Sequence, residues 1–458
     1  MIEKKRARRR ALDGLQVRNP NAAGIDIGSR QHWVAVPEGS CDEPVRSFDS
    51  FTAGLHELAE WLAECGVDTV AMESTGVYWI PLYEILEERG FEVLLVNAAH
   101  VRNVPGRKTD VRDCQWLQQL HSYGLLRASF RPDAEIVELR SYLRHRDMLV
   151  ASAGRHILHM QKALTLMNVQ IHHVLADITG VTGMRILRSL VAGEYDPISL
   201  AEHRDPRCRS SKERITAALH GNYKTEHIFA LKQALNLYDS YKQNLVECDA
   251  RIEQKLSALA ELAQVPNDPL PRAKTRRKPC GNEPTFSVRG PLHRLFGGVD
   301  LTQIPGIAAQ TALSLTSEIG TTVERWPTAK HFTSWMNLAP GSNITGGKSL
   351  SGKRPHANNR AGQLLRQSAS SVGRTNTALG AFYRRLAGRQ GKGKAVVATA
   401  RKLAVVIYNL IKHGGQFLDM GLKKYEALQE QRTLRSLRKR AKQLGFQLLP
   451  MPTVDGVT

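Results

Sequence analysis

The sequence predicts an α/β N-terminal domain, a long helical connector and a mostly α C-terminal domain. Three observations lead there. Residues 22–126 alternate short apolar runs with helix-period segments. Residues 226–260 carry a heptad. A Pro-rich basic stretch without periodicity then separates that heptad from a second folded unit at 300–415. With 458 residues, 42% of them hydrophobic, the chain has material for roughly two to four packed domains.

Within the first domain, residues 25–27 and 32–36 flank a short turn at Gly28 and Ser29, an antiparallel hairpin signal. Residues 51–65 place Leu55, Leu58, Ala59 and Leu62 on one helical face, and residues 67–72 form a buried strand. A helix at 78–88 stops before Gly90, a strand follows at 91–96, and a helix at 110–123 bears Trp116, Leu117 and Leu120. A hairpin followed by β-α-β alternation describes an RNase-H-like three-layer domain, expected over residues 22–130 after a basic tail at 1–21.

The connector is expected over residues 131–263. Its first half is a basic helix with His156, His159, His172 and His173 nearby. No carboxylate or cysteine completes a metal set with them, so they read as a polar face. The heptad at 226–260 has Leu231, Tyr238, Leu245, Ile252 and Leu259 in one register. Ile228, Leu235 and Leu256 share the second, interrupted by Lys242 and Asp249. The expectation is a coiled coil between protomers; an in-chain helical hairpin is the alternative. A basic Pro-rich linker occupies 264–295. The domain at 296–415 opens with Ile304-Pro-Gly-Ile-Ala308, a helix-hairpin-helix-like start in which Gly306 would offer backbone N–H groups to a phosphate. Helices are expected at 361–374 and 395–412, and a basic C-terminal helix and tail at 416–458.

The formal net charge of +21 favours a polyanionic partner, nucleic acid before anionic membrane. No apolar run reaches the ~20 residues that span a bilayer, and no apolar region follows the basic N-terminus as in a secretory signal. Cys41, Cys65, Cys114, Cys208, Cys248 and Cys280 stand singly, against a zinc ribbon or a disulfide framework, and fit a reducing cytoplasm.

Four carboxylates carry the chemistry. Asp26 interrupts the strand Ala23-Gly-Ile-Asp-Ile-Gly28, where Asp is disfavoured, and Glu73 ends the apolar run Thr69-Val-Ala-Met-Glu73. Asp110 and Asp113, three apart, share one face of a helix start. Acids on two strands and a flanking helix can converge on two Mg²⁺ ions, the equipment of phosphodiester chemistry. Arg102, Arg107 and Lys108 lie close in sequence and suit a nucleic-acid backbone. The plain alternative, that Asp110 and Asp113 only complement a helix N-terminus, does not explain Asp26. Gly24-Ile-Asp-Ile-Gly-Ser29 also resembles the first phosphate loop of sugar-kinase-like ATPases, but no second Gly-rich phosphate loop and no P-loop accompany it.

A second constellation runs from Leu338 to Arg354. Gly346 and Gly347 allow close approach of a phosphate, and Lys348, Lys353 and Arg354 offset its charge. Thr345 is the candidate nucleophile, with Ser342, Ser349 and Ser351 as alternatives. Alone, the loop reads as a phosphate binder, because no base stands beside the hydroxyls in sequence.

These motifs resemble the DEDD transposases of the bacterial insertion-sequence "one-ten" family, which includes the Piv-type DNA invertases. The resemblance rests on Gly24-Ile-Asp-Ile-Gly28, Met72-Glu-Ser-Thr-Gly-Val-Tyr-Trp79, Asn97 through Lys108-Thr-Asp-Val-Arg-Asp113, Ile304-Pro-Gly306, Leu338-Ala-Pro340 through Thr345-Gly-Gly-Lys348, and Leu379-Gly-Ala-Phe-Tyr-Arg-Arg385. It implies a RuvC-like N-terminal domain whose Asp26, Glu73, Asp110 and Asp113 hold Mg²⁺, and a hydroxyl in the C-terminal domain that links covalently to DNA. It also implies a structured non-coding guide RNA that pairs with donor and target double-stranded DNA, and homo-oligomers, dimeric and tetrameric, in the bacterial cytoplasm at the nucleoid. The family usually has Ser before Gly-Gly-Lys; this chain has Thr345. A RuvC-like structure-specific endonuclease that uses water as nucleophile is the alternative activity.

Overall fold

The computed structural model describes residues 15–74, 76–97, 109–266, 268–273, 281–340, 343–346, 348–350 and 359–449, with 343–345 and 348–350 as backbone only. The chain divides into two compact units, one ending at Arg131 and the other beginning at Pro132.

The first unit contains β1 (Ala22–Ile27), β2 (Gln31–Ala35), β3 (Val45–Asp49), α1 (Thr52–Glu64), β4 (Thr69–Glu73), α2 (Trp79–Glu88), β5 (Glu92–Val96) and α3 (Asp110–Ser122). The strands form one mixed sheet in the order β3-β2-β1-β4-β5. β1, β2 and β3 are antiparallel neighbours, whereas β1, β4 and β5 run parallel. β3 has no counterpart in the sequence reading. It is an edge strand with only Phe48 fully buried, so its apolar alternation is too sparse to register.

Side-chain alternation assigns the two faces of the sheet. Ala23, Ile25 and Ile27 of β1, Val70 and Met72 of β4, and Leu95 of β5 join one core with Leu55, Leu58 and Leu62 of α1 and Leu82 and Leu86 of α2. The intervening positions face the other way. Ala71 and Val96 pack there against Leu117 of α3. Helices therefore cover both faces, and Asp26 and Glu73 share the parity of the α3 side.

Gly24 explains how close α3 comes. A Cβ at this position would lie 2.2 Å from the Gln118 backbone nitrogen and 2.5 Å from the Cys114 carbonyl oxygen. Only glycine lets a strand and a helix backbone meet at this distance.

The second unit begins with α4 (Ala134–Leu166), then a 3₁₀ turn, α5 (Val181–Val191), α6 (Pro197–Ala201), α7 (Lys212–Leu219) and α8 (Thr225–Leu262). α4 and α8 pair antiparallel. Lys255 meets Glu135 and Glu138, Arg146 meets Asp249, and His156 stacks on Tyr241, so partner numbers fall along α8 as they rise along α4. The heptad stripe, expected as a seam between protomers, is filled within the chain. Leu231, Leu245, Ile252 and Leu256 are buried, and Leu231 and Leu235 belong to a core with Met160 and Leu164 of α4 and Ile186 and Leu187 of α5.

The interruptions of that heptad have a use. Asp249, 1% exposed, accepts from Arg146 Nε at 2.5 Å and from the Thr285 backbone N–H at 3.0 Å. Arg146 also donates to the Asn282 carbonyl, and Lys242 donates to the Gly281 carbonyl. The two polar positions thus receive the chain where it returns to the helical pair.

The remainder holds α9 (Arg289–Leu295), a second 3₁₀ turn, α10 (Ala309–Ile319), α11 (Ala329–Trp335), β6 (Asn343–Thr345), β7 (Lys348–Leu350), α12 (Arg360–Val372), α13 (Ala378–Gln390), α14 (Lys392–His413) and α15 (Leu422–Gln443). Arg140 of α4 donates to the carbonyls of Ser317 and Glu318, capping the C-terminus of α10 with a cation. An aromatic group of Trp326, Phe332, Trp335 and Tyr408 joins α11 to α14, and the Tyr408 hydroxyl donates to the Trp326 carbonyl at 2.7 Å. Among the described residues no helix is long and apolar enough to cross a membrane.

Candidate active site

β1 and β4 pair in parallel with Ile25 opposite Met72, so the next residues, Asp26 and Glu73, follow side by side at the carboxyl ends of adjacent strands. Both are half-buried. α3 runs antiparallel to β1 across them. Its last residue, Ser122, accepts from the Arg18 backbone N–H ahead of β1; His121 contacts Thr69 at the start of β4; Cys114 and Gln118 lie over Gly24. The first turn of α3, with Asp110 and Asp113, therefore lies toward the end of the sheet where Asp26 and Glu73 stand.

Cys114 lies near Asp26 and follows Asp113 in sequence. Burial pushes its thiol up to about 12, and the charges of Asp26 and Asp113 push in the same direction. The thiol is thus neutral, and it donates to the Val111 carbonyl at 3.2 Å. A neutral thiol of this kind is not a thiolate ligand.

Strand spacing sets the Asp26 and Glu73 backbones roughly 5 Å apart. Like charges on adjacent strands repel. Partial burial deepens the cost, so a cation there would be stabilising. The donor chemistry fits a hard divalent ion: carboxylate oxygens, with the nearest sulfur protonated. The set is open, however. Asp110 is exposed, and among the described residues no group of three or more His, Cys, Asp or Glu is gathered closely enough to hold a metal. Asp26 and Glu73 are brought together by register, and the first turn of α3 carries Asp110 and Asp113 at the same end of the sheet.

In the second unit, Thr345 and Lys348 are register partners at the head of the β6–β7 hairpin, and Ser349 pairs one step down with Ile344. Gly346, in the turn, has a φ of 57°. Within the hydroxyl-rich loop of the sequence reading, residues 343–345 and 348–350 thus form a short antiparallel hairpin. Ser342, Gly347, Ser351, Lys353 and Arg354 lie outside the described residues, as do Arg102, Arg107 and Lys108 of the first unit. Gly306 sits at φ 84°, and a Cβ there would come within 2.4 Å of Val372 and 2.9 Å of the Ser368 carbonyl. Close packing on α12 accounts for this glycine.

The histidines fall as a polar face. His156 and His159 meet edge to face at 5.3 Å, and burial, with His159 and Arg155 adding to it, lowers the pKa of His156.

Two family models match the chain. The DEDD transposase model of the IS110 family matches residues 23–169, which hold all four acids and all of α4. A model described as Transposase IS116/IS110/IS902 family matches residues 300–384, which hold α10, the hairpin and α12. The chain belongs to the IS110 family of transposases. No curated protein matches it. As an IS110-family transposase it is a DNA-processing enzyme of an insertion sequence, with DNA as its partner.

Proposed function

We propose that this transposase cuts and exchanges DNA strands through a covalent protein–DNA intermediate. The observation that supports the reading is the position of Asp26 and Glu73 side by side at the ends of paired strands, with Asp110 and Asp113 on the first turn of the helix that runs across them. The strand order, antiparallel at β1–β3 and parallel at β1–β4–β5, supports an RNase-H-like, RuvC-like arrangement for this unit. Asp26, Glu73, Asp110 and Asp113 would hold two Mg²⁺ ions. Bound there, the ions would neutralise the scissile phosphate and lower the pKa of an attacking hydroxyl.

In this reading the Thr345 hydroxyl attacks phosphorus. One P–O bond of the DNA breaks as the threonyl phosphodiester forms, and the displaced DNA hydroxyl takes a proton. Bond energy is conserved, so strand exchange needs no nucleotide hydrolysis. Gly346, Gly347, Lys348, Lys353 and Arg354, with Arg102, Arg107 and Lys108, would hold nucleic-acid backbone. The charge of +21 suits two polyanionic partners, DNA and the structured guide RNA that the family resemblance implies. A homo-oligomer in the bacterial cytoplasm completes the proposal.

A suicide DNA substrate, nicked so that religation fails, tests the covalent step. We expect a protein–DNA adduct on a denaturing gel that disappears in Thr345→Ala. An adduct of undiminished yield in that variant removes Thr345, and free ends without adduct establish hydrolysis instead.

A further inference from the structure

α13, α14, α15 and the loop between the last two enclose a cavity of about 670 Å³, within the range of small-ligand sites. Most of its lining lies beyond residue 384, outside both family matches. Four cations reach it: Arg385, Arg401, Lys402 and Arg432. The one acid in its lining, Asp419, is turned to the backbone, where it accepts from the N–H groups of Ala378 and Gly421. Arg385 donates to the side-chain amide of Gln429, and the Lys402 ammonium lies 3.9 Å over the Phe382 ring. No hydrogen bond or ion pair joins Arg401 or Arg432 to a described residue. Burial, with the charges of Arg385 and Arg432, lowers the pKa of Lys402, as expected for crowded cations without an anion.

The rest of the wall is apolar, with Val405, Val406 and Phe417. Tyr425 is 7% exposed, yet its buried hydroxyl has no hydrogen-bond partner among the described residues. Buried tyrosine hydroxyls ordinarily find one. A ligand here must therefore be anionic at one end, flat and apolar in its body, and able to hydrogen-bond at an edge.

We propose that this cavity receives one unpaired nucleotide, its phosphate among Arg401, Lys402 and Arg432 and its base against the apolar wall with an edge toward the Tyr425 hydroxyl. A duplex cannot enter, because its bases are stacked and paired; a loop, bulge or strand end can. The shared chemistry is a base with its phosphate, and DNA and RNA are its two sources.

The test uses the full chain and 5′-phosphorylated single strands carrying 5-iodopyrimidines, one set DNA and one RNA, crosslinked by ultraviolet light and mapped by mass spectrometry. We expect crosslinks in the peptides holding Phe382, Phe417 or Tyr425 in at least one set. They should fall about tenfold in R401E/R432E with an unchanged circular dichroism spectrum, and about threefold in Tyr425→Phe. If the double variant fails to fold, R432Q alone, altering an exposed residue of α15, should still lower them. The proposal is overturned if neither set crosslinks at these peptides, if folded variants crosslink as well as the parent, or if a blunt duplex does equally well. Displacement of the oligonucleotides by polyglutamate of equal charge also overturns it, because the cavity would then read charge alone, as an acidic-protein site would.

Discussion

Gly24→Ala is a one-carbon perturbation aimed at the alignment of the acids. The added Cβ would sit 2.2 Å from the Gln118 nitrogen, 2.5 Å from the Cys114 oxygen and 2.7 Å from the Gln118 Cα, all backbone atoms of α3. No flexible side chain can yield. Ordinary contact begins at 3.4 Å, so α3 must withdraw by about 1 Å. Overpacking of this kind costs about 1–3 kcal/mol. The helix carries Asp110 and Asp113 with it, while Asp26 and Glu73 stay on the sheet. A displacement of about 1 Å at a reacting centre lowers rate by about 10²-fold. We expect a lowered melting temperature by calorimetry and a loss of about 10²-fold in element excision, scored in a bacterial reporter at equal protein level. A variant that melts and excises like the parent refutes the reasoning, because α3 would then not be seated on β1 as described.

Two further outcomes follow from buried groups. Arg146→Met strands the Asp249 carboxylate, whose side chain is 2% exposed, and should cost about 3–5 kcal/mol in denaturant unfolding. Adding Asp249→Leu should restore more than half of that loss, and equal instability of single and double variants would show that the ion pair is not the cause. Burial lowers the pKa of His121, with Asp68 opposing, and of His32. The unfolded chain therefore takes up these protons first; their contribution is complete above about pH 6.5 and is lost as pH falls through the lower folded values. We expect melting of the first unit to drop from pH 7.5 to 5.5, with a shallower slope in His121→Asn; identical slopes would remove His121 as a source.

The acids were legible as candidates for different reasons: Asp26 in a strand, where Asp is disfavoured, Glu73 closing an apolar run, and Asp110 and Asp113 three apart at a helix start. The parallel pairing that sets Asp26 beside Glu73 was not, since register depends on contacts between distant segments. Gly24 looked like part of a motif and proved to be the point of closest helix approach. The heptad on α8 was visible, but its partner was not, because an apolar stripe does not say whether α4 or a second copy covers it. Asp249 read as a flaw in that stripe, and only the fold reveals Arg146 opposite it. The cationic cavity was invisible for a similar reason: its lysine, arginines and tyrosine come from three helices at unrelated spacings.

The convergence of carboxylates at the end of β1 and β4 is the central claim. Crystals of the full chain grown with manganese(II) and examined for anomalous scattering test it most directly. The account predicts a peak about 2.1 Å from carboxylate oxygens of Asp26 and Glu73, beside the first turn of α3, absent in Asp26→Asn. A saturating ion bound elsewhere, with no scattering between those strand ends, would contradict it.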